Sequence, residues 1–287
     1  MGILYFGDPA GALALLDRGL SLSGVVHGRR GGKGLRRLLP RLKDIPRWHL
    51  PDLEKNEVVQ ALAGTKPTLI VACFYPKLIP RSVLDLAPGI NVHPSPLPRW
   101  RGPDPCTWSI RAGDEHTATS VHWLTEGLDE GDLLRQVTHV IGKRETTGHL
   151  AARMEADGAK QIAEVAELLI KGEPPESWPQ DGTVTWAPML EADDWEVDWT
   201  QEADTVDRFI RAALPEPGAF TGLGDELMVI HSARVASAGA FDALPPGTPF
   251  IRDGLVHIRC GSDAICLRRV RVGRRLLNGH AFAELFV

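Results

Sequence analysis

The chain has 287 residues, 43% of them hydrophobic and 24% charged, with a formal net charge of −5 at pH 7. Such a composition belongs to a folded soluble protein of one large or two ordinary domains, and the negative balance excludes a chain that grips nucleic acid by bulk charge. Cys73, Cys106, Cys260 and Cys266 form no C-x-x-C pair, no apolar run reaches membrane-spanning length, and MGILYFGDP lacks a signal-peptide pattern, so reduced thiols and a cytoplasmic location are expected.

In chain order, GILYF (2–6) predicts a buried strand, followed by a turn at Gly7, Asp8 and Pro9. GALALLDRGL then predicts a helix and SGVVHG a second strand, a β-α-β opening that implies a parallel sheet with a right-handed crossover. The stretch from 28 to 43, GRRGGKGLRRLLPRLK, is glycine-rich and basic. It reads either as a solvated loop or as a segment that binds a phosphate-bearing substrate. It only mimics a P-loop, because His27 replaces the first glycine and Gly34 the magnesium-binding Ser or Thr. Gly7 to Gly11 lacks the full dinucleotide fingerprint, so no NAD is expected.

NEVVQALAG predicts a helix, TLIVACF (68–74) a strand, Ser82 to Leu86 a short helix and Gly89 to His93 another strand. SVHWL (120–124) and Leu133 to Ile141 predict two more strands, and Thr147 to Lys171 a long amphipathic helix interrupted by Gly158. After Lys171 the sequence turns rich in proline and acids, which reads as a linker. Beyond it, Thr205 to Ala213 predicts a helix, and several short β segments suggest a small barrel. The expected organisation is an α/β domain over 1–175, a linker over 176–196 and a β-barrel-like domain over 197–287.

The chemistry concentrates in NVHPSPLPRWRG (91–102). Asn91 and His93 lie two apart, so on a strand their side chains share a face, and the carboxyl end of a parallel strand is where open α/β sheets bind ligands. Downstream, WLTEGLDEGDLL (123–134) places Asp129, Glu130 and Asp132 among glycines. An amide, an imidazole and a carboxylate suffice for acyl transfer to an amine: the amide N–H steadies a developing oxyanion, the imidazole steadies that oxygen or moves protons, and the carboxylate orients the imidazole or a proton-carrying water. A lone cysteine such as Cys106 reads as a small hydrophobe. His116 and His122 lack metal-ligand spacing and read as a surface and a strand histidine, and no metal is expected. Trp100 stands beside the pair as either a ligand-stacking ring or a loop anchor.

These motifs resemble those of the 10-formyltetrahydrofolate-dependent formyltransferases, in particular the methionyl-tRNA formyltransferases and their relatives that formylate amino sugars and amino acids. The family pattern Asn-x-His-x-Ser-Leu-Leu-Pro, then Arg-Gly, then Leu-Asp-x-Gly-Asp is matched by Asn91, His93, Ser95, Pro96-Leu97-Pro98, Arg101-Gly102 and Leu128-Asp129-Glu130-Gly131-Asp132. Pro96 departs from it where the family usually has leucine. The resemblance extends over nearly the whole chain, including Asp198-Trp199.

It implies a Rossmann-like formyltransferase domain with a parallel-rich sheet, a small C-terminal open, OB-like β-barrel, and a catalytic set of Asn91, His93 and Asp129. It further implies 10-formyltetrahydrofolate as formyl donor, held between Lys77, Leu78 and Ile79 on one wall and Leu124, Thr125, Glu126 and Gly127, leading into Asp129, on the other. Gly7, Asp8, Pro9, Ser95 and Arg101 are the candidate contacts to the acceptor. The basic stretch is shorter than the insertion of the tRNA enzymes and the chain stops soon after its last strand. Both departures favour a small amine, an amino acid such as hydroxyornithine or a nucleotide-linked amino sugar. Methionyl-tRNA is the alternative partner, and a non-catalytic folate-binding module a third reading. A homodimer is compatible with the sequence, which does not specify oligomeric state, and no membrane partner is expected.

Overall fold

Every residue of Ile3–Gly7 (β1) and of Leu69–Cys73 (β4) is buried, as expected of parallel strands covered on both faces. The computed structural model, which describes residues 2–28, 33–224 and 226–286, shows what covers them. The other strands of the sheet are Leu22–His27 (β2), Arg47–His49 (β3), Gly89–His93 (β5), His116–Trp123 (β6) and Leu133–Val140 (β7). Their order is β3-β2-β1-β4-β5-β6-β7. The first five are parallel, whereas β6 runs antiparallel to both β5 and β7.

Helix α1 (Pro9–Asp17) and the long α6 (Thr147–Lys171) flank one face; α2 (Lys33–Leu38), α3 (Asn56–Ala63), α4 (Arg81–Leu84) and α5 (Pro105–Ala112) fall between them in the chain. Leu13 and Leu15 of α1 and Ile162 and Val165 of α6 share one apolar cluster with Val71 and Val92 of the sheet. On the opposite face Leu62 of α3 and Val83 join Leu4, Phe6 and Ile70. The mid-helix Gly158 has a packing reason, since a Cβ there would stand 3.1 Å from Val92 Cγ2 and 3.3 Å from Phe74 Cζ. The sheet is thus the parallel-rich one that the β-α-β opening predicts and the Rossmann-like one that the resemblance implies.

The chain folds as two compact units. The first takes the chain through Pro105 together with His116–Val140 and Ala151–Pro188; the second takes Cys106–Glu115, Ile141–Leu150 and the chain from Met189 on. The second unit contains α7 (Ala203–Ala212), the strands Ala219–Leu223 (β8), Glu226–Ala236 (β9), Pro249–Arg252 (β10), Leu255–Arg259 (β11), Ala264–Val272 (β12) and Arg275–Asn278 (β13), and α8 (Gly279–Ala283). All pairings are antiparallel, along an open path β10-β11-β12-β9-β8 with β13 on β12. This is the expected C-terminal β domain. Helix α7 buries Ala203, Val206 and Ile210 at helical spacing, and its buried Asp207 is paired by Arg144 at 2.6 Å and Arg211 at 2.7 Å.

Helix α8 forms where the sequence reads only as short strands and turns, and three elements before β6 also differ from the sequence reading. Helix α2 forms inside the glycine-rich basic stretch, where Leu35 and Leu38 are both buried; residues 29–32 of that stretch lie outside the described residues. Strand β3 is a three-residue sheet edge, too short for a periodicity to register. Helix α5 starts at a proline, which suits a first helical position but reads as loop in sequence. Among the described residues, no helix is long and apolar enough to cross a membrane.

Candidate active site

Strand β5 alternates: Ile90 and Val92 enter the α1–α6 core, leaving Asn91 and His93 on the other side. Antiparallel pairing with β6 sets Asn91 opposite His122 and His93 opposite Ser120. After β6 the chain turns back through Asp129, a non-glycine residue in the left-handed region at φ +52°. Gly131 completes the turn, and any Cβ there would collide with the Trp123 carbonyl oxygen. This turn aims the Asp129 carboxylate at the end of β5.

The three predicted groups do come together. Asp129 Oδ2 lies 3.4 Å from His93 Nδ1 and accepts the Gly102 N–H at 3.0 Å, while Oδ1 accepts from Asn91 Nδ2 at 3.4 Å. His93 Nε2 is 2.8 Å from the Trp100 carbonyl, which can only accept, so that nitrogen carries a proton. Trp100 itself sits at φ +61°. Burial pushes the His93 imidazole below its ordinary value, opposed by Asp129 and the Trp100 carbonyl. For Asp129 burial acts upward, but the neighbouring His93, His122 and Gly102 N–H outweigh it and hold the carboxyl below the usual carboxylate range. A neutral imidazole beside an ionised carboxylate is a base whose protonated form that carboxylate steadies.

His122, which the sequence offers only as a strand histidine, joins this group. Its Nδ1 lies 2.8 Å from the Trp123 carbonyl and therefore bears the proton. Its Nε2 is then free to accept the Asn91 amide N–H at 3.1 Å, and stands 3.6 Å from Asp129 Oδ1. The alternation of SVHWL places His122 on a face of the sheet, but only the antiparallel β5–β6 register says that the face is that of Asn91.

The loop after His93 is held from within. Ser95 is fully buried and donates its hydroxyl to the Arg99 carbonyl at 2.6 Å, and its own carbonyl accepts from Ser120 Oγ at 2.6 Å. Its side chain is therefore committed to the loop. Trp100 is 8% exposed, with the Arg99 guanidinium 4.2 Å from its ring centre, so the structure places it as a loop anchor. Arg101 donates to Gln180 Oε1 at 2.7 and 3.2 Å. Gln180 in turn donates to the carbonyls of Asp129 and Gly131 at 2.8 and 2.9 Å. No local sequence signal marks this glutamine. Cys106 belongs to the second unit and is buried.

The two segments expected to hold a cofactor are also neighbours. Ile79 and Leu124 pack against the same apolar cluster, and Arg81 Nη1 donates to Glu126 Oε1 at 2.9 Å. Lys77 and Leu78 are exposed, and Thr125 Oγ1 donates to the Gly127 carbonyl at 3.3 Å. Beside Ile79, the Tyr75 hydroxyl is buried without a hydrogen-bond partner among the described residues, and burial pushes it up to about 12. Gly7 ends β1 and Asp8 follows it at the same sheet end, with the Asp8 N–H on the Cys73 carbonyl at 2.9 Å. The Asp8 carboxylate accepts the Ala10 N–H at 3.0 Å and caps α1, whose first residue is Pro9.

Comparisons with known proteins agree along the chain. A family model described as formyl transferase matches residues 41–166, and one described as formyl transferase, C-terminal domain, matches residues 189–286. The methionyl-tRNA formyltransferase of Geotalea uraniireducens (strain Rf4) is 32% identical over 301 residues, which cover 98% of this chain and 94% of that protein. The solved N-formyltransferase from Helicobacter canadensis, in complex with folinic acid and dTDP-3-aminofucose, superposes with a TM-score of 0.70 at 12% identity, covering 93% of this chain and 99% of that one. HypX from Aquifex aeolicus in complex with tetrahydrofolic acid superposes at 0.66 and 21% identity over 100% of this chain, which spans only 47% of HypX. At these identities the two solved structures speak to the fold.

Proposed function

The chain belongs to the formyltransferase family, and we propose that it moves the formyl group of 10-formyltetrahydrofolate onto the amine of a small acceptor through Asn91, His93 and Asp129. The observation that carries this reading is the meeting of an amide N–H, a buried imidazole and an ionised carboxylate at the carboxyl end of β5. The folate-bound neighbours support the donor. When bound, that donor supplies an electrophilic formyl carbon.

The residues divide the work. Asn91, its amide oriented by His122, presents an N–H to the oxygen that gains charge as the amine adds. The long 3.4 Å contact from Asn91 to Asp129 is the one such an oxygen would replace. His93 Nδ1 is unprotonated when Nε2 donates to Trp100, so it takes up the proton that the amine loses, and Asp129 at 3.4 Å steadies the resulting imidazolium. The same proton is then available to the departing nitrogen.

A small acceptor is supported by Asp8. A helix N-terminus at a sheet's carboxyl end is a natural phosphate site, but here a carboxylate already occupies it. Gly7 is in register with Cys73 and Cys73 with Val92, so Asp8 lies about two strand spacings, ~10 Å, from His93. Asp8, Asp17 and Glu155 share a groove of about 500 Å³ with Arg37 and Lys160. Opposed charges in one groove at this end of α1 suit the ammonium and carboxylate of an amino acid. A second reading, methionyl-tRNA, is favoured by the near-full-length similarity to tRNA enzymes. Formylation rates with hydroxyornithine and with methionyl-tRNA, each at low and at high salt, separate the two. A tRNA acceptor requires a steep loss with salt; an amino acid turned over at a salt-insensitive rate supports our reading.

A further inference from the structure

The residues between the end of α6 and Pro188 read in sequence as a linker, yet their backbone is bound to both loops of the site. Trp178 exchanges both of its backbone hydrogen bonds with Leu133, at 2.7 and 3.0 Å. Further on, Arg101 N donates to the Thr185 carbonyl at 2.9 Å, Ala187 N to the Arg101 carbonyl at 2.8 Å, and Trp100 N to Thr185 Oγ1 at 2.8 Å. One end of this strap is therefore fixed to the strand that follows the Asp129 turn, and the other to the loop that follows His93. Gln180 lies between the two anchors.

Its carboxamide is saturated. The two N–H groups serve the carbonyls of Asp129 and Gly131 at 2.8 and 2.9 Å, and the oxygen accepts twice from Arg101, at 2.7 and 3.2 Å. The orientation is unambiguous, since turning the amide over would set its oxygen against two carbonyls and its N–H groups against a guanidinium. The partners are in turn the ones that need holding. Asp129 sits in the left-handed backbone region, which aspartate adopts more readily than most non-glycine residues but still at a cost that its surroundings must offset. A change in that turn moves the carboxylate relative to Gly102 and His93, both of which it meets through Oδ2.

We infer that Gln180 is a positioning residue for formyl transfer: it locks the Asp129 turn and Arg101 into one rigid piece, so that the strap 178–187 is part of the reaction machinery. The inference rests on the reading of Asp129 as a member of the reacting set. Gln180→Leu removes all four hydrogen bonds. Gln180→Glu keeps an acceptor for Arg101 but turns a carboxylate oxygen toward two carbonyls, and it is the second variant should the leucine form fail to fold.

The experiment measures kcat, KM for 10-formyltetrahydrofolate, the pH profile of kcat and the melting temperature for wild type, both variants and Asp129→Asn. A displacement of the carboxylate on the scale of 1 Å would lower kcat by about 10- to 100-fold, with KM for the donor within about 3-fold. His93, the base, would also lose the carboxylate that raises its pKa, so the acid limb of the profile moves to lower pH. A folded Gln180 variant with wild-type kcat and an unmoved acid limb, even one with a lower melting temperature, overturns the inference and leaves Gln180 a structural residue. Wild-type kcat in Asp129→Asn instead removes the reading beneath it, which distinguishes the two failures.

Discussion

His122 Nε2 accepts the Asn91 amide N–H at 3.1 Å because the Trp123 carbonyl holds the ring's proton on Nδ1. The amide that is to donate to a charged oxygen is thus aimed by a second histidine rather than left to rotate. His122→Phe removes the acceptor while keeping a ring, and we expect kcat to fall roughly 10-fold with KM for the folate little changed. His122→Gln, which retains an acceptor, is expected to keep more of the activity. Steady-state kinetics checks both, and equal rates in the two variants would show that the amide needs no such orientation.

Removing either proton-handling group should cost more. For His93→Ala and Asp129→Asn we expect kcat to fall by at least ~100-fold, while equilibrium binding of the folate, followed by fluorescence quenching, stays within ~3-fold. A large loss of folate affinity in His93→Ala would place His93 in binding rather than in the transfer step.

Acid should destabilise the fold through the same pair. Both folded-state values are depressed, that of His93 chiefly by burial and that of Asp129 by its charged and hydrogen-bonding neighbours despite burial. A depressed group binds its proton more readily in the unfolded chain, so its contribution is present above the unfolded value and is lost as pH falls through the folded one. For His93 the loss begins just below about pH 6.5, and for Asp129 below about pH 4. Melting temperatures between about pH 8 and 3 should show a shallower acid decline in His93→Gln just below ~6.5 and in Asp129→Asn below ~4. Parallel curves for all three proteins would contradict these assignments.

The Asp129 turn is equally testable from its glycine. A methyl group at Gly131 meets the Trp123 carbonyl oxygen, and relieving that collision in Gly131→Ala should cost about 1–3 kcal/mol of stability and lower kcat. Chemical denaturation and steady-state rates measure the two effects. On the folate side, Leu78 is 68% exposed beside the partly buried Ile79. If it covers the bound donor, Leu78→Asp raises KM for 10-formyltetrahydrofolate severalfold and leaves kcat unchanged.

Local rules made β5, α6 and the face shared by Asn91 and His93 legible, because Gly89–His93 and Thr147–Lys171 carry their own periodicities. What escaped was set by distant partners or by brevity. Strand β3 has three residues, and α2 lies among glycines that read as loop. His122 becomes a site residue only through pairing with a strand 31 positions earlier. Gln180 acts on residues 49, 51 and 79 positions away, and a hydrogen bond of that span leaves no trace in composition or spacing.

The central claim is that Asn91, His93 and Asp129 pass a formyl group to a small amine. The direct measurement follows an isotopically labelled formyl carbon from 10-formyltetrahydrofolate, with wild type and His93→Ala run in parallel against hydroxyornithine, nucleotide-linked amino sugars and methionyl-tRNA. Label should appear on a small amine with wild type and remain on the folate with His93→Ala. Transfer to methionyl-tRNA alone, or transfer at the wild-type rate by His93→Ala, would contradict it.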